Sequence, residues 1–206
     1  MRERPVDVIV LKLLLALALV GLSLVGIAMA RTEARPLPLR IPPPPEFELR
    51  LSEDGQSIEM RGLVDFGLTE ALRRLVAAHP EVRQLTLDSH GGYIAEARGV
   101  VTVLRAQGMA THVERHCASA CALIFAGGAA RTLAAGAQIG LHGYSLGRNR
   151  HFGMIDPEAE MQRDLAIFRA QGIDEAFILR LAALPQAPMW YPARDELLVA
   201  RMITEP

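Results

Sequence analysis

From Phe47 onward the chain alternates short strand-like runs with amphipathic helical ones, and this alternation limits the fold more than any other feature. Phe47 to Leu51 alternates apolar and charged side chains, and 57–62 reads as a second strand after the Asp54-Gly55 turn. A helix is predicted over 69–78, with Leu72, Leu75 and Val76 on one face, followed by a strand over 83–88 through Leu85 and Leu87. The next helix, 93–107, spaces Ile94, Ala97, Val101 and Leu104 along one side and sets Glu96, Arg98 and Arg105 opposite. A strand over 109–114, a helix over 119–127 and a strand over 137–142 complete the series. Successive strand–helix units imply a mainly parallel sheet covered by helices, the α/β class.

The last third reads as helical. Asp156-Pro157 supplies a cap and a first-turn proline, and Met161, Leu165 and Phe168 form one apolar stripe before Gly172. Asp174 caps a second helix that stops at Leu184-Pro185, and a third runs over 193–201.

The N-terminal part is of another kind. Leu13 to Ala30 is an unbroken run of 18 apolar or small residues. As a helix it would be about 27 Å long, just enough to cross a bilayer core. It ends in Ala28-Met29-Ala30, which also suits a signal-peptide cleavage site. Residues 1–30 are therefore a membrane anchor, with contact through 8–30, or a cleavable signal. Either way the domain would face the periplasmic or extracytoplasmic side. Residues 31–46 are proline-rich, with four consecutive prolines at Pro42–Pro45, and form a semi-extended linker. The folded unit is then 47–206, with half of the chain's residues hydrophobic and a core to match.

A net charge of −1 offers no basic face for nucleic acid. Lys12 is the only lysine, so every later cation is an arginine or a protonated histidine. Cys117 and Cys121, the only cysteines, are a poor zinc signature without a matching histidine pattern, and no metal site is expected. They are either a disulfide, if the domain lies in an oxidising compartment, or two small buried thiols.

Three short motifs could carry chemistry. Asp88-Ser89-His90-Gly91-Gly92 follows a strand, and its glycine pair can turn sharply and present bare N–H groups, or be a turn and nothing more. Ser119 opens the apolar helix of Ala120, Leu123, Ile124 and Phe125; it is an N-cap, or a nucleophile helped by the positive helix end and the Ala120 N–H. His142 ends a strand at the edge where parallel sheets bind ligands, and a neutral imidazole there could act as general base. His90 and His116 compete for that role because each lies beside a motif.

In this order the motifs resemble the ClpP/crotonase superfamily, and more closely its ClpP-like serine peptidase branch. Asp88 to Gly92 is similar to the N-S-P-G-G-like loop, Ala118-Ser119-Ala120 to the A-S-M-G-like nucleophile turn, and Leu141-His142-Gly143-Tyr144 to the I-H-Q-P-like strand end. The intervals, 27 residues from Gly92 to Ser119 and 23 from Ser119 to His142, also suit that family. The resemblance spans 57–203 and implies a spiral of mainly parallel strands wrapped by helices, assembled as a trimer or larger ring. It implies Ser119 as nucleophile, His142 as base, an oxyanion hole of backbone N–H groups from the Gly91-Gly92 loop and Ala120, a peptide or protein substrate, and no cofactor.

The chain also departs from that family. The family's histidine-orienting aspartate has no counterpart in Pro188-Met189-Trp190-Tyr191-Pro192, which leaves a Ser-His dyad or an orienting group from elsewhere. A lysine-base mechanism, as in signal peptide peptidase A, is excluded for the domain because no lysine follows Lys12 and arginine stays charged. The crotonase acyl-CoA branch is opposed by the export-type leader and by the lack of an acid within the Gly-Gly loop. The missing aspartate motivates the main alternative, a catalytically inactive oligomeric binding or assembly module of the cell envelope.

Overall fold

The computed structural model describes residues 9–20, 46–144 and 156–204. The chain divides into two units, Met1–Pro43 and Pro44–Pro206. In the first, residues 9–20 form helix α1, whose side chains are exposed. Among the described residues no helix is long and apolar enough to cross a membrane. The remainder of the apolar run, 21–30, and the prolines of the linker up to Pro45 lie outside the described residues.

The second unit opens with β1 (Phe47–Leu51) and β2 (Ile58–Gly62), an antiparallel hairpin. Its turn is closed by Ser52, whose hydroxyl accepts from the Ser57 N–H at 2.9 Å, and Gly55 takes the positive φ of 69° that the reversal needs. The remaining strands are parallel: β3 (Gln84–Ser89), β4 (Ala110–Ala118), β5 (Arg131–Leu133) and β6 (Gln138–Gly140). Between them lie α2 (Leu68–Ala78), α3 (Ile94–Gln107) and α4 (Ala120–Ala126); α5 (Pro157–Ala170), α6 (Glu175–Ala182) and α7 (Arg194–Val199) follow.

The strand order is β1-β2-β3-β4-β5, and β6 pairs with β4 off this path. Strand β4 makes this split possible because it is longer than its pattern of alternation suggests. Its first half pairs with β5 through Thr111–Val113, and its second half pairs with β6 through His116–Ala118. A register shift between Leu87 and Ser89 of β3, whose partners are Val113 and Cys117, bulges β4 at the junction. There Arg115 on the bulge pairs with Asp88 of β3. The expected strand over 109–114 thus continues to the serine motif, and β5, only three residues long, was too short for periodicity to mark.

Apolar periodicity sets the core. Leu85, Leu87 and Ser89 alternate inward along β3, Leu68, Leu72 and Val76 line one face of α2, and all seven residues of α4 are buried. Burial of Leu123, Ile124 or Phe125 contributes about 1.5–3 kcal/mol each, so α4 is held from every side. The register pairs Ser89 with Cys117 and Ala118 with Gly140, so β3, β4 and β6 end side by side. The chain leaving those three ends carries Gly91-Gly92, Ser119 and His142.

Candidate active site

Ser119 sits between the end of β4 and α4. Its N–H donates to the Gly140 carbonyl at 2.9 Å, which ties the turn to β6. Its backbone adopts φ 56° and ψ −122°, a left-sided conformation that a serine takes only when its surroundings impose it. The expected N-cap role is not what the hydroxyl does: its side chain makes no capping hydrogen bond. The Ser119 hydroxyl instead lies 2.7 Å from His142 Nε2.

The tautomer of His142 follows from its other nitrogen. Nδ1 lies 2.8 Å from the Gly143 carbonyl oxygen, which can only accept, so Nδ1 carries the proton and Nε2 accepts from Ser119. The partner sought for the imidazole is therefore a main-chain carbonyl one residue on. His90 and His116, the competing histidines, stack on each other with ring centroids 4.4 Å apart, and His116 lies 5.8 Å from the Tyr191 ring. Neither bonds Ser119. Burial, followed by the neighbouring His90, holds the His116 imidazole below its ordinary range.

The glycine loop packs directly on the serine turn. A Cβ added to Gly91 (φ 100°) would meet Ser119 Cβ at 2.8 Å and the Ala120 nitrogen at 3.1 Å, so only glycine fits there. Gly92 (φ 149°) forms an isolated parallel bridge with Val64, and its added Cβ would fall 2.3 Å from the Val64 carbonyl oxygen. That bridge uses the Gly91 carbonyl and the Tyr93 N–H, both bonded to Val64 at 2.8 and 2.7 Å. Among the described residues the N–H groups of Gly92 and Ala120 have no acceptor. Gly91 is the correction: its N–H, expected among the oxyanion donors, is given to the buried Ser89 hydroxyl at 3.1 Å.

Cys117 and Cys121 form a disulfide with Cα atoms 5.2 Å apart, and both are fully buried. The bridge therefore brackets Ser119 and fastens the end of β4 to the first turn of α4.

A cavity of about 470 Å³ opens from the Ser119–His142 pair. Ile94, Ala95, Leu123, Leu165, Phe168 and Leu181 give it apolar walls. Its polar end is a closed ionic cluster. Arg98 donates to both carboxylate oxygens of Asp164 at 2.6 and 3.0 Å and pairs with Glu160, while the Tyr144 hydroxyl donates to Asp164. The bond to Asp164, more than any other contact, pushes the Arg98 guanidinium up, and burial pushes the Tyr144 phenol up, so both remain protonated donors. Arg98 was expected on the exposed side of its helix; it turns instead toward α5. The sequence signal for this cluster is Asp164 itself, an acid set between Met161 and Leu165 on an otherwise apolar stripe.

Fold and site together define an α/β domain in which a serine–histidine pair sits at the carboxyl ends of three parallel strands, against a glycine loop. No protein-family model and no curated protein sequence matches the chain. Among solved structures, an asparagine-to-aspartate mutant of ClpP1 from Listeria monocytogenes is similar to it with a TM-score of 0.58. The likeness covers 73% of this chain and 90% of that one at 12% identity. The domain has a ClpP-like fold.

Proposed function

We propose that the domain is a ClpP-like serine hydrolase that cleaves peptide bonds of peptides or proteins. Ser119 attacks the scissile carbonyl carbon while His142 Nε2 takes the hydroxyl proton. The N–H groups of Gly92 and Ala120 receive the oxyanion of the tetrahedral intermediate. Collapse of that intermediate breaks the C–N bond, and the proton on Nε2 passes to the leaving amine. Water then repeats the sequence on the acyl-enzyme and frees Ser119. The observation that carries the reading is the 2.7 Å contact between Ser119 Oγ and His142 Nε2, made by a serine held at positive φ. The apolar cavity beside it suits a hydrophobic side chain next to the cleaved bond.

The test uses a fluorophosphonate probe and a library of fluorogenic peptides. Wild type is expected to be labelled and to turn over peptides, and Ser119→Ala and His142→Ala to lose more than about 10³-fold of that turnover. A folded wild type that is neither labelled nor active would refute the proposal. One observation favours a second reading, an inactive envelope module: among the described residues no carboxylate meets His142 Nδ1. Under that reading the Ser119–His142 contact survives as a relic and no probe reacts.

We further infer a site of action at or outside a membrane. The Leu13–Ala30 run and a disulfide in the domain support it, since bridges persist in oxidising compartments. Cell fractionation tests it, and full-length protein with free thiols in the cytoplasmic fraction would contradict it. A trimer or larger ring is part of the same proposal, and a sedimentation run that finds a monomer at assay concentration would remove it.

A further inference from the structure

The segment 141–144 is held at both ends and in the middle. Leu141 exchanges two backbone hydrogen bonds with Trp190, at 2.8 and 2.7 Å. Gly143 donates to the Pro185 carbonyl at 2.9 Å and is wedged so closely that an added Cβ would lie 1.8 Å from the Leu184 carbonyl oxygen. Tyr144 then reaches Asp164 through its hydroxyl. Asp164 is 1% exposed and is itself clamped by Arg98, whose other donors meet the Glu160 carboxylate and, at 3.0 Å, the Glu160 carbonyl. A buried carboxylate held by a charged guanidinium and by a phenol hydroxyl has one geometry, and it passes that geometry to the tyrosine.

This arrangement bears on the imidazole. A backbone carbonyl carries less charge than a carboxylate, so it can orient Nδ1–H only if the carbonyl itself is fixed. The stretch 188–192 has no acid to do the job directly. We propose that Asp164 is a positioning residue for His142: through the Tyr144 hydroxyl it holds Gly143 so that its carbonyl stays on Nδ1. Asp164 touches no reacting atom. The inference rests on the reading of His142 as the base.

The test is Tyr144→Phe in the full chain, which deletes one hydroxyl and keeps the ring in the cavity wall. With histidine labelled by nitrogen-15, wild type should show a protected Nδ1–H resonance, assigned by its absence in His142→Gln. In Tyr144→Phe that resonance should broaden or vanish. Peptide turnover should lose about 10- to 100-fold in kcat with KM changed less than about 2-fold, the mark of a misaligned base rather than lost binding. Asp164→Asn retains an acceptor for Tyr144 and should fall between the two. If that variant fails to fold because Arg98 loses its buried ion pair and keeps Glu160 alone, Tyr144→Phe by itself decides. A folded Tyr144→Phe protein with the Nδ1–H resonance and kcat of wild type overturns the proposal. A wild type that hydrolyses nothing, but whose resonance still responds to Tyr144→Phe, would sink the hydrolase reading and leave the positioning role standing.

Discussion

Opening the Cys117–Cys121 bridge perturbs the serine turn without altering a side chain of the site. The bridge closes a loop of sequence separation 4, so the chain-entropy relation assigns it about 6 cal/mol/K, or about 2 kcal/mol near room temperature. Ser119, inside that loop, holds a conformation that costs about 1–3 kcal/mol. The two quantities are of one size, so the bridge is one of the contributions that offset the strain, beside the Ser119–Gly140 hydrogen bond and the burial of α4. Because both sulfurs are fully buried, reduction must be done on protein unfolded in urea, then refolded under reductant and checked for two free thiols. Urea melts of the oxidised and reduced forms should differ by about 2 kcal/mol with the slope unchanged, and the reduced form should react more slowly with a fluorophosphonate. Equal stability and equal reaction rates, with both thiols shown to be free, would refute the argument that the bridge holds the serine turn.

Gly143→Ala drives a Cβ into the Leu184 carbonyl at 1.8 Å and should cost about 3 kcal/mol in urea melts. It should also lower peptide turnover by more than about 100-fold, because His142 moves with the residue that carries its acceptor. Gly92→Ala combines a positive φ with a 2.3 Å approach to the Val64 oxygen and should abolish labelling of Ser119, whereas Gly55→Ala, with nothing within 4 Å of the added carbon, should cost only about 1–2 kcal/mol and leave labelling intact. His116 gives the expected pH dependence. Its folded pKa is depressed, so the unfolded chain binds the proton first as pH falls below about 6.5. Stability declines between that value and the lower folded pKa; replacing His116 with Gln should lessen the fall of the urea midpoint in that window without abolishing it, because burial also holds His112 below its ordinary range.

How much of this could be read in advance varied with the physics of each residue. The hairpin, the helices of the second unit and the order of the three motifs follow from periodicity and turn residues, which act locally, and they stand in the structure within a residue or two of where spacing put them. The length of β4 does not follow from local pattern, because Glu114, Arg115 and His116 are held in the strand by a bulge, an ion pair with Asp88 and a second partner strand. Gly91 and Gly92 look alike in sequence but differ in the fold, where Ser89 takes the N–H of one and leaves that of the other. The group that meets His142 Nδ1 is a main-chain oxygen, which no side chain in the sequence announces. Helical phase alone puts Arg98 opposite the apolar face of its helix. Its partner, Asp164, lies 66 residues away, and its one mark in the sequence is an acid on an apolar stripe, which periodicity passes over.

Hydrolysis as proposed needs Ser119, His142 and two backbone N–H groups to converge on one substrate carbonyl. The most direct measurement is a crystal structure of the domain after reaction with a fluorophosphonate, whose phosphorus mimics the tetrahedral carbon. The expected structure has the phosphorus bonded to Ser119 Oγ, with the phosphoryl oxygen about 2.7–3.1 Å from the nitrogens of both Gly92 and Ala120. A phosphoryl oxygen turned away from those two nitrogens, or a phosphorus attached to any residue other than Ser119, would contradict it.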